Sequence, residues 1–123
     1  MTNSLIAVYG SLKKGKGNHG LLSDSRFVAH GLTEPKFNLV SLGSFPGLVD
    51  GGNFVEVEVY SVTPETLSKL DRLEGHPTFY ERIETDIYIN SIEEPTVKSF
   101  IYKYKGHSSK GYVEPDENEV VSW

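Results

Sequence analysis

The sequence predicts an α+β domain in which a small β-barrel, or a strongly curled sheet, of mixed but mainly antiparallel strands accompanies one main helix. Two observations carry this prediction. Several short segments alternate apolar and polar residues, as strands do, and glycine- or proline-rich turns separate them. One stretch alone, residues 64–74, combines the helical spacing of apolar residues with signals for both helix ends. A chain in which about five or six strands outnumber the helices is typical of the α+β class.

The first predicted element is a strand, and a loop follows it. Residues 5–9 form a continuous apolar run, which is typical of a buried and central strand. Residues 10–20 contain four glycines and three lysines without an apolar period, which predicts a glycine-rich loop. The spacing resembles that of a phosphate-binding loop, but Gly17 stands where that motif needs Ser or Thr. Two other interpretations stay open: a flexible, solvated segment, or exposed backbone amides that hold a small anion such as a carboxylate.

Four further strands are predicted in the rest of the chain. Residues 37–42 are strand-like, and the segments 43–47 and 50–53 have the composition of turns. The valines at positions 55, 57 and 59 alternate with polar residues, which predicts a half-buried strand. Residues 82–89 and 97–104 also alternate, and a turn over residues 90–96 would join them as an antiparallel hairpin.

The predicted helix covers residues 64–73 or 64–74. Thr63 suits the N-cap, and Pro64 suits the first helical position. Gly75 is placed to stop the helix, and Pro77 prevents its continuation. The apolar stripe of this helix consists of Leu67, Leu70 and Leu73.

Glu74 is the most informative single residue for function. Seven positions after Leu67, it lies about 20° from the same helical face and points with the apolar stripe. It also stands at the carbonyl end of the helix, where the dipole disfavours a carboxylate. Burial and the dipole would both raise its pKa, which makes Glu74 a candidate general acid/base. The alternative is that the helix ends at Leu73 and the Glu74 side chain turns into water.

Composition excludes several classes of function. The 123 residues fit one domain over 1–123, with an acidic tail over 112–123 that either packs through its apolar residues or frays. The absence of cysteine excludes disulfides, cysteine-ligated metals and a cysteine nucleophile. A net charge of −5 argues against binding to nucleic acid or an anionic membrane. No apolar run approaches the ~20 residues of a spanning helix, so we expect a cytoplasmic protein.

No metal site or activated serine is predicted. The spacing of the four histidines, His19, His30, His76 and His107, matches no metal-ligand pattern. No G-x-S-x-G nucleophile motif occurs either. If the protein is an enzyme, its substrate carries the nucleophile or water attacks.

Two motifs resemble those of the gamma-glutamylcyclotransferase-like (AIG2-like) superfamily. The segment 8–12, Val-Tyr-Gly-Ser-Leu, resembles the family's Y-G-[ST]-L opening, and the segment 70–75, Leu-Asp-Arg-Leu-Glu-Gly, resembles its L-D-x-x-E motif. The segment 57–60 resembles a G-E-V-Y strand, although Val57 replaces the usual glycine. The resemblance covers residues from about 5 to about 104. The K-x-G-x-x-N-H loop and the E-G-x-P-x-x-Y-x-R stretch resemble the gamma-glutamylaminecyclotransferase branch most closely.

The resemblance implies a cofactor-independent enzyme, of the lyase or acyltransferase kind, with a small barrel and a small gamma-glutamyl substrate. The substrate's own α-amine would attack its γ-carbonyl and release 5-oxoproline. Glu74 would take a proton from the α-ammonium and deliver one to the departing amine. The implied substrate-binding residues are Tyr9, Gly10, Ser11, Leu12, Tyr80 and Tyr102. No metal or organic cofactor is implied.

Other interpretations stay open beside this one. The same pocket could serve a non-catalytic module that binds a small molecule, or the acidic tail could serve a protein–protein adaptor. The anionic substrate would be held by local amides and by Lys13, Lys14 and Lys16. The leaving group and the oligomeric state do not follow from the sequence.

Overall fold

The structure is a computed structural model that describes residues 2–92, 95–106 and 111–123. Its strands and helix, in chain order, are β1 (Ser4–Val8), β2 (Arg26–Thr33), β3 (Phe37–Ser41), β4 (Pro46–Asp50), β5 (Phe54–Val62), α1 (Pro64–Glu74), β6 (Tyr80–Ile89), β7 (Thr96–Tyr104) and β8 (Val120–Val121). A short 3₁₀ helix, His19–Leu22, precedes β2. His107 and residues 93–94 of the predicted 90–96 turn lie outside the described residues.

Five of these strands form a closed mixed barrel. Their order is β1, β7, β6, β2 and β5, and the pairing of β1 with β5 closes the ring. The β1–β7 pair is parallel, whereas the other four pairs are antiparallel. The β3–β4 hairpin forms a second sheet, and β8 runs parallel to β5. The predicted α+β barrel with one main helix is therefore confirmed, as are the central position of β1 and the β6–β7 hairpin.

The barrel interior is filled by the apolar residues that the strand patterns predict. Val55, Val57 and Val59 of β5 are fully buried in the main core. The other face of β5 is also covered from Glu58 onward, so this strand is not half-buried as predicted. Glu58 and Tyr60 are 8% and 4% exposed because the glycine-rich loop and the 3₁₀ helix pack over them.

Helix α1 begins and ends where its sequence signals predict. The Thr63 hydroxyl accepts a 3.1 Å hydrogen bond from the Thr66 N–H, and Pro64 occupies the first turn. Gly75 adopts a left-handed φ of 65°, and the next N–H, of His76, bonds back to Asp71 O at 2.9 Å. This pattern satisfies carbonyl groups that a helix end otherwise leaves free.

The predicted apolar stripe of α1 is wrong at its last position. Leu70 is fully buried and Leu67 packs against the same cluster, but Leu73 is 43% exposed. Leu73 lies instead among the residues that line a cleft.

The alternation rule does not detect β2 and β4. In β2 the register shifts between Phe27 and Ala29, and this bulge disrupts the period of two. In β4 the strand begins at Pro46, so the predicted turn over residues 43–47 is wrong in its last two positions. Proline is tolerated at the first residue of a strand, where its missing N–H costs no ladder bond.

The acidic tail packs onto the barrel. Val121 is fully buried in β8, and Val120 pairs with Phe54 of β5. The Asp116 carboxylate accepts hydrogen bonds from the N–H groups of Asn118 and Val120 at 2.8 and 3.0 Å. Of the two alternatives for the tail, packing is the one observed.

Candidate active site

A cleft of about 370 Å³ opens where β1, the β3–β4 hairpin and the last turn of α1 meet. All seven site residues predicted from the sequence line it, namely Tyr9, Gly10, Ser11, Leu12, Glu74, Tyr80 and Tyr102. The other lining residues are Ala7, Val8, Gly17, Asn18, Ser44, Phe45, Pro46, Leu73 and Phe79. Segments far apart in the chain therefore meet at one place.

Glu74 is half-buried at the end of α1 and faces this cleft. Burial removes water from its carboxylate and raises the pKa from 4.5 to about 7. Within residues 2–92, 95–106 and 111–123, its carboxylate forms no hydrogen bond or ion pair. A carboxylate with this pKa can both accept and donate a proton near neutral pH.

The start of the glycine-rich loop is ordered by its own hydrogen bonds. The Asn18 N–H donates to Ser11 O at 2.8 Å, and Asn18 Nδ2 donates to Ser11 Oγ at 3.0 Å. The N–H groups of Ser11 and Leu12 find no acceptor within the described part of the chain. Two unused donors therefore lie on residues that line the cleft, which suits a carboxylate ligand. The interpretation of an anion-binding loop is therefore supported at residues 11 and 12, whereas residues 14–18 are exposed, as the interpretation of a solvated loop expects.

Gly10 is required for packing against the hairpin. A Cβ atom at this position would lie 2.8 Å from Cδ and Cγ of Pro46, well inside contact distance. The absence of a side chain therefore lets the loop approach the first residue of β4 and sets the floor of the cleft.

The lysines of the loop point away from the cleft. Lys13 is 8% exposed; its Nζ donates to Trp123 O at 3.1 Å and lies 3.5 Å from Glu56 Oε1. Lys14 and Lys16 are exposed and do not line the cleft. None of the three side chains lines the cleft, contrary to the expectation that they hold the substrate.

All three lining tyrosines use their hydroxyl groups within the protein, and two of them, Tyr9 and Tyr80, bond to the backbone. Tyr9 donates to Tyr102 O at 2.6 Å and accepts from the Leu48 N–H at 3.0 Å. Tyr80 donates to Pro46 O at 2.6 Å. Burial, chiefly, raises the pKa of both phenols above the ordinary value, so both stay protonated at neutral pH. Their rings shape the cleft, while their hydroxyl groups join the end of β1 to β4 and β7, and β6 to β4.

Asp71 belongs to the L-D-x-x-E motif, but its part in supporting the site from outside the cleft lining was missed. Its carboxylate accepts from the Tyr102 hydroxyl at 2.7 Å and from Arg82 Nη1 at 2.6 Å. The guanidinium of Arg82 also lies 4.8 Å from the centre of the Phe100 ring. The sequence does indicate that Asp71 lies close to Glu74, because it precedes Glu74 by three positions and both therefore lie on one helix face.

Phe45 and Phe79 at the cleft mouth were also missed. Their ring centroids are 6.3 Å apart, and they are 37% and 44% exposed. Both come from loop segments that have no apolar period, so no pattern in the sequence marks them.

Histidines do not gather into a metal site in the described residues. His19 Nδ1 lies 2.9 Å from Leu12 O, and His76 Nδ1 accepts from the Arg82 N–H. No group of three or more potential ligands occurs in that part of the chain. The same residues contain no helix long and apolar enough to cross a membrane.

The family model for "Gamma-glutamyl cyclotransferase, AIG2-like" matches residues 6–122 of this chain. The chain belongs to that family. The match extends through the acidic tail, beyond residue 104 where the motif resemblance ended. The family takes its name from the gamma-glutamyl cyclotransferase reaction.

Individual family members agree with this assignment. A protein of Vibrio cholerae is 40% identical over 101 residues, which are 82% of each chain. Human gamma-glutamylaminecyclotransferase is 34% identical over 118 residues, covering 80% of this chain and 77% of the human one. The crystal structure of a mouse AIG2-like protein superposes with a TM-score of 0.81 at 29% identity, covering 90% of this chain and 83% of that one. The barrel of this chain is therefore the AIG2-like fold.

Proposed function

We propose that the protein releases 5-oxoproline from a small γ-glutamyl amine or γ-glutamyl amino acid, with Glu74 as the general acid/base. The supporting observation is the half-buried, unpaired carboxylate of Glu74, with a pKa of about 7, across one cleft from the free amides of Ser11 and Leu12. Family membership supports the reaction type.

The substrate supplies the nucleophile, so the protein's task is to fold the substrate and to move protons. The α-nitrogen forms a bond to the γ-carbonyl carbon, and the C–N bond to the leaving amine breaks. The α-ammonium loses two protons in this process. Glu74 takes one and delivers one to the leaving nitrogen, while solvent carries the other to the released amine. Binding that holds the α-amine next to the γ-carbonyl lowers the barrier, because the entropy cost of reaching the cyclising conformation is met during binding.

The two sides of the cleft have complementary tasks in this proposal. The amides of Ser11 and Leu12 hold the α-carboxylate, which keeps the α-nitrogen near Glu74. The rings of Tyr80 and Tyr102 close the cavity around the chain of the glutamyl group. The buried surroundings exclude water and keep the pKa of Glu74 near neutrality, which suits both proton transfers.

The test measures 5-oxoproline release from γ-glutamyl amides, γ-glutamyl amino acids and glutathione by the wild type and by Glu74→Gln. General acid/base catalysis typically contributes 10²- to 10⁴-fold, so we expect the substitution to lower kcat by about that factor. Glu65→Gln, on the exposed first turn of the same helix, is the matched control and should leave kcat unchanged. Release at the wild-type rate by Glu74→Gln would overturn the role of this residue. Binding without release by the wild type would instead identify a non-catalytic module.

A further inference from the structure

The cleft offers no cation to the α-carboxylate of the proposed substrate. Among the described residues that line it, none is Lys, Arg or His. In the proposed function, the free N–H groups of Ser11 and Leu12 therefore bind this anion as dipoles. Dipoles that are already fixed in direction bind an anion without the cost of reorientation. The bonds that fix these two N–H groups therefore contribute to substrate binding.

Peptide planarity links each of these N–H groups to a carbonyl group. In a trans peptide, the N–H of one residue and the C=O of the preceding residue lie in one plane and point in opposite directions. Every peptide bond of the glycine-rich loop is trans. A bond to Gly10 O therefore fixes the direction of the Ser11 N–H, and a bond to Ser11 O fixes that of the Leu12 N–H. Both carbonyl groups accept such a bond, from the Lys13 N–H at 3.0 Å and from the Asn18 N–H at 2.8 Å.

His19 extends one of these two series of bonds. Its Nδ1 lies 2.9 Å from Leu12 O, and because a carbonyl oxygen can only accept, the imidazole is the donor. Leu12 O belongs to the same peptide group as the Lys13 N–H, which donates to Gly10 O. The imidazole is thus connected to the Ser11 N–H through two hydrogen-bonded peptide groups. Peptide groups bonded in series polarise one another, which strengthens the last N–H as a donor.

The imidazole of His19 also packs against an aromatic ring. Its centroid lies 5.7 Å from that of Tyr60. The ring contact and the donated hydrogen bond can be separated by substitution. Asparagine carries an N–H donor on the atom bonded to Cγ, as histidine does at Nδ1, but it has no ring. Phenylalanine has the ring and no donor.

We infer that His19 is a positioning residue for substrate binding: its bond to Leu12 O fixes and polarises the Ser11 N–H that holds the substrate's α-carboxylate. This inference rests on the proposed function. His19 itself does not line the cleft and acts through the backbone of the loop.

The first test measures 5-oxoproline release from γ-glutamyl methylamide. We expect His19→Phe to raise KM by about tenfold with little change in kcat, because the lost interaction holds the substrate and the transition state alike. His19→Asn retains the donor and should stay near the wild type. The matched control is His30→Phe, the same substitution at an exposed position of β2 outside the cleft, which should change neither constant.

A second measurement determines whether the effect depends on the α-carboxylate. 4-Aminobutyryl methylamide keeps the amine and the amide of the substrate and lacks only this group. Measured as a competitive inhibitor, it should have the same inhibition constant in His19→Phe as in the wild type. If His19 only supported the shape of the loop through its ring, this constant would rise together with KM.

The outcomes separate the inference from the proposed function. A wild-type KM in His19→Phe, an equal increase of KM in His19→Asn, or an increased inhibition constant would overturn the inference and leave the proposed function intact. If circular dichroism shows that His19→Phe does not fold, His19→Ala takes its place, because it also lacks the donor. No 5-oxoproline from the wild type would instead overturn the proposed function itself.

Discussion

The Tyr102 hydroxyl donates a 2.7 Å hydrogen bond to Asp71 Oδ1, one helical turn before Glu74. This bond ties strand β7 to the end of α1 that carries the proposed acid/base. The Asp71 carboxylate also accepts a 2.6 Å hydrogen bond from Arg82 Nη1 of β6. Two barrel strands, β6 and β7, therefore bind one carboxylate of the helix. The position of Glu74 is therefore fixed by a neighbour that performs no chemistry itself.

Tyr102→Phe removes this hydroxyl and leaves the ring in place. Because the acceptor is charged and the tyrosine is buried, we expect the free energy of unfolding to fall by about 2 kcal/mol. The matched control is Tyr88→Phe, an exposed hydroxyl on β6, which should change stability by no more than about 0.5 kcal/mol. Urea unfolding followed by circular dichroism measures both. Equal stabilities of the two variants would contradict a structural role for the Tyr102–Asp71 bond.

Glu74 makes stability depend on pH in a defined direction. Its pKa is about 7 in the folded protein and near 4.5 when unfolded, so the folded state binds more protons between these values. The contribution of Glu74 is therefore fully present below pH 4.5 and is lost as the pH rises through 7. We expect wild-type stability to fall relative to Glu74→Gln by at most about 3 kcal/mol between pH 4 and pH 8.

The measurement is urea unfolding of both proteins at several pH values in this range. Glu65→Gln is the control, because its carboxylate is exposed on the same helix. Parallel curves for the wild type and Glu74→Gln would show that burial does not perturb this carboxyl group.

Gly10→Ala tests the close approach of the loop to the hairpin. The new Cβ would lie 2.8 Å from the Pro46 ring, so the loop or the strand must shift. We expect a loss of about 1 to 3 kcal/mol of stability and impaired substrate binding. Gly20→Ala is the matched control, since a Cβ there meets no atom within 4 Å. Thermal unfolding and KM would distinguish the two, and similar behaviour would refute the steric argument.

Glu58→Gln tests how the glycine-rich loop is anchored. Glu58 Oε1 accepts from the Lys14 N–H and from the Tyr60 hydroxyl, both at 2.9 Å. Weakening these bonds frees the loop that carries the Ser11 and Leu12 amides, so KM should rise by about tenfold with a smaller change in kcat. Glu84→Gln, exposed on β6, should alter neither constant.

The same Glu58 variant has a second readout that does not depend on activity. Burial, with help from the charge and hydrogen bond of Glu58, raises the pKa of Tyr60 to about 12. Removing the charge should therefore lower this pKa in a spectrophotometric titration. A titration identical to that of the wild type would show that the two groups do not interact.

The sequence predicted those features that depend on neighbouring residues in the chain, such as helix ends, apolar runs and helical spacing. The cap residues Thr63 and Gly75 marked both ends of α1, because their backbone geometry depends on neighbouring residues only. The continuous apolar run before Gly10 predicted a strand with partners on both sides, and β1 has them. The inward direction of Glu74 followed from its angle to Leu67.

Features set by tertiary contacts were not predictable in this way. Strand β4 begins at Pro46 because Gly10 and Tyr80 pack against it, and both lie far away in the chain. Lys13 lies in a segment whose composition is typical of a solvated loop, but it is buried, and its Nζ donates to the Trp123 carbonyl of the tail. The apolar mouth of the cleft, at Phe45 and Phe79, comes from two connecting segments that meet only in the folded chain.

The closure of the barrel by β1 also determines when the cleft can exist. Ile6 pairs with Tyr60 on one side and with Phe100 on the other, so the strand that leads into the glycine-rich loop is held by residues made much later. A growing chain on the ribosome cannot complete this ring before β7 has been synthesised. Contacts of such long sequence separation also slow folding. The nascent protein therefore has no complete cleft until nearly all of its residues have left the ribosome.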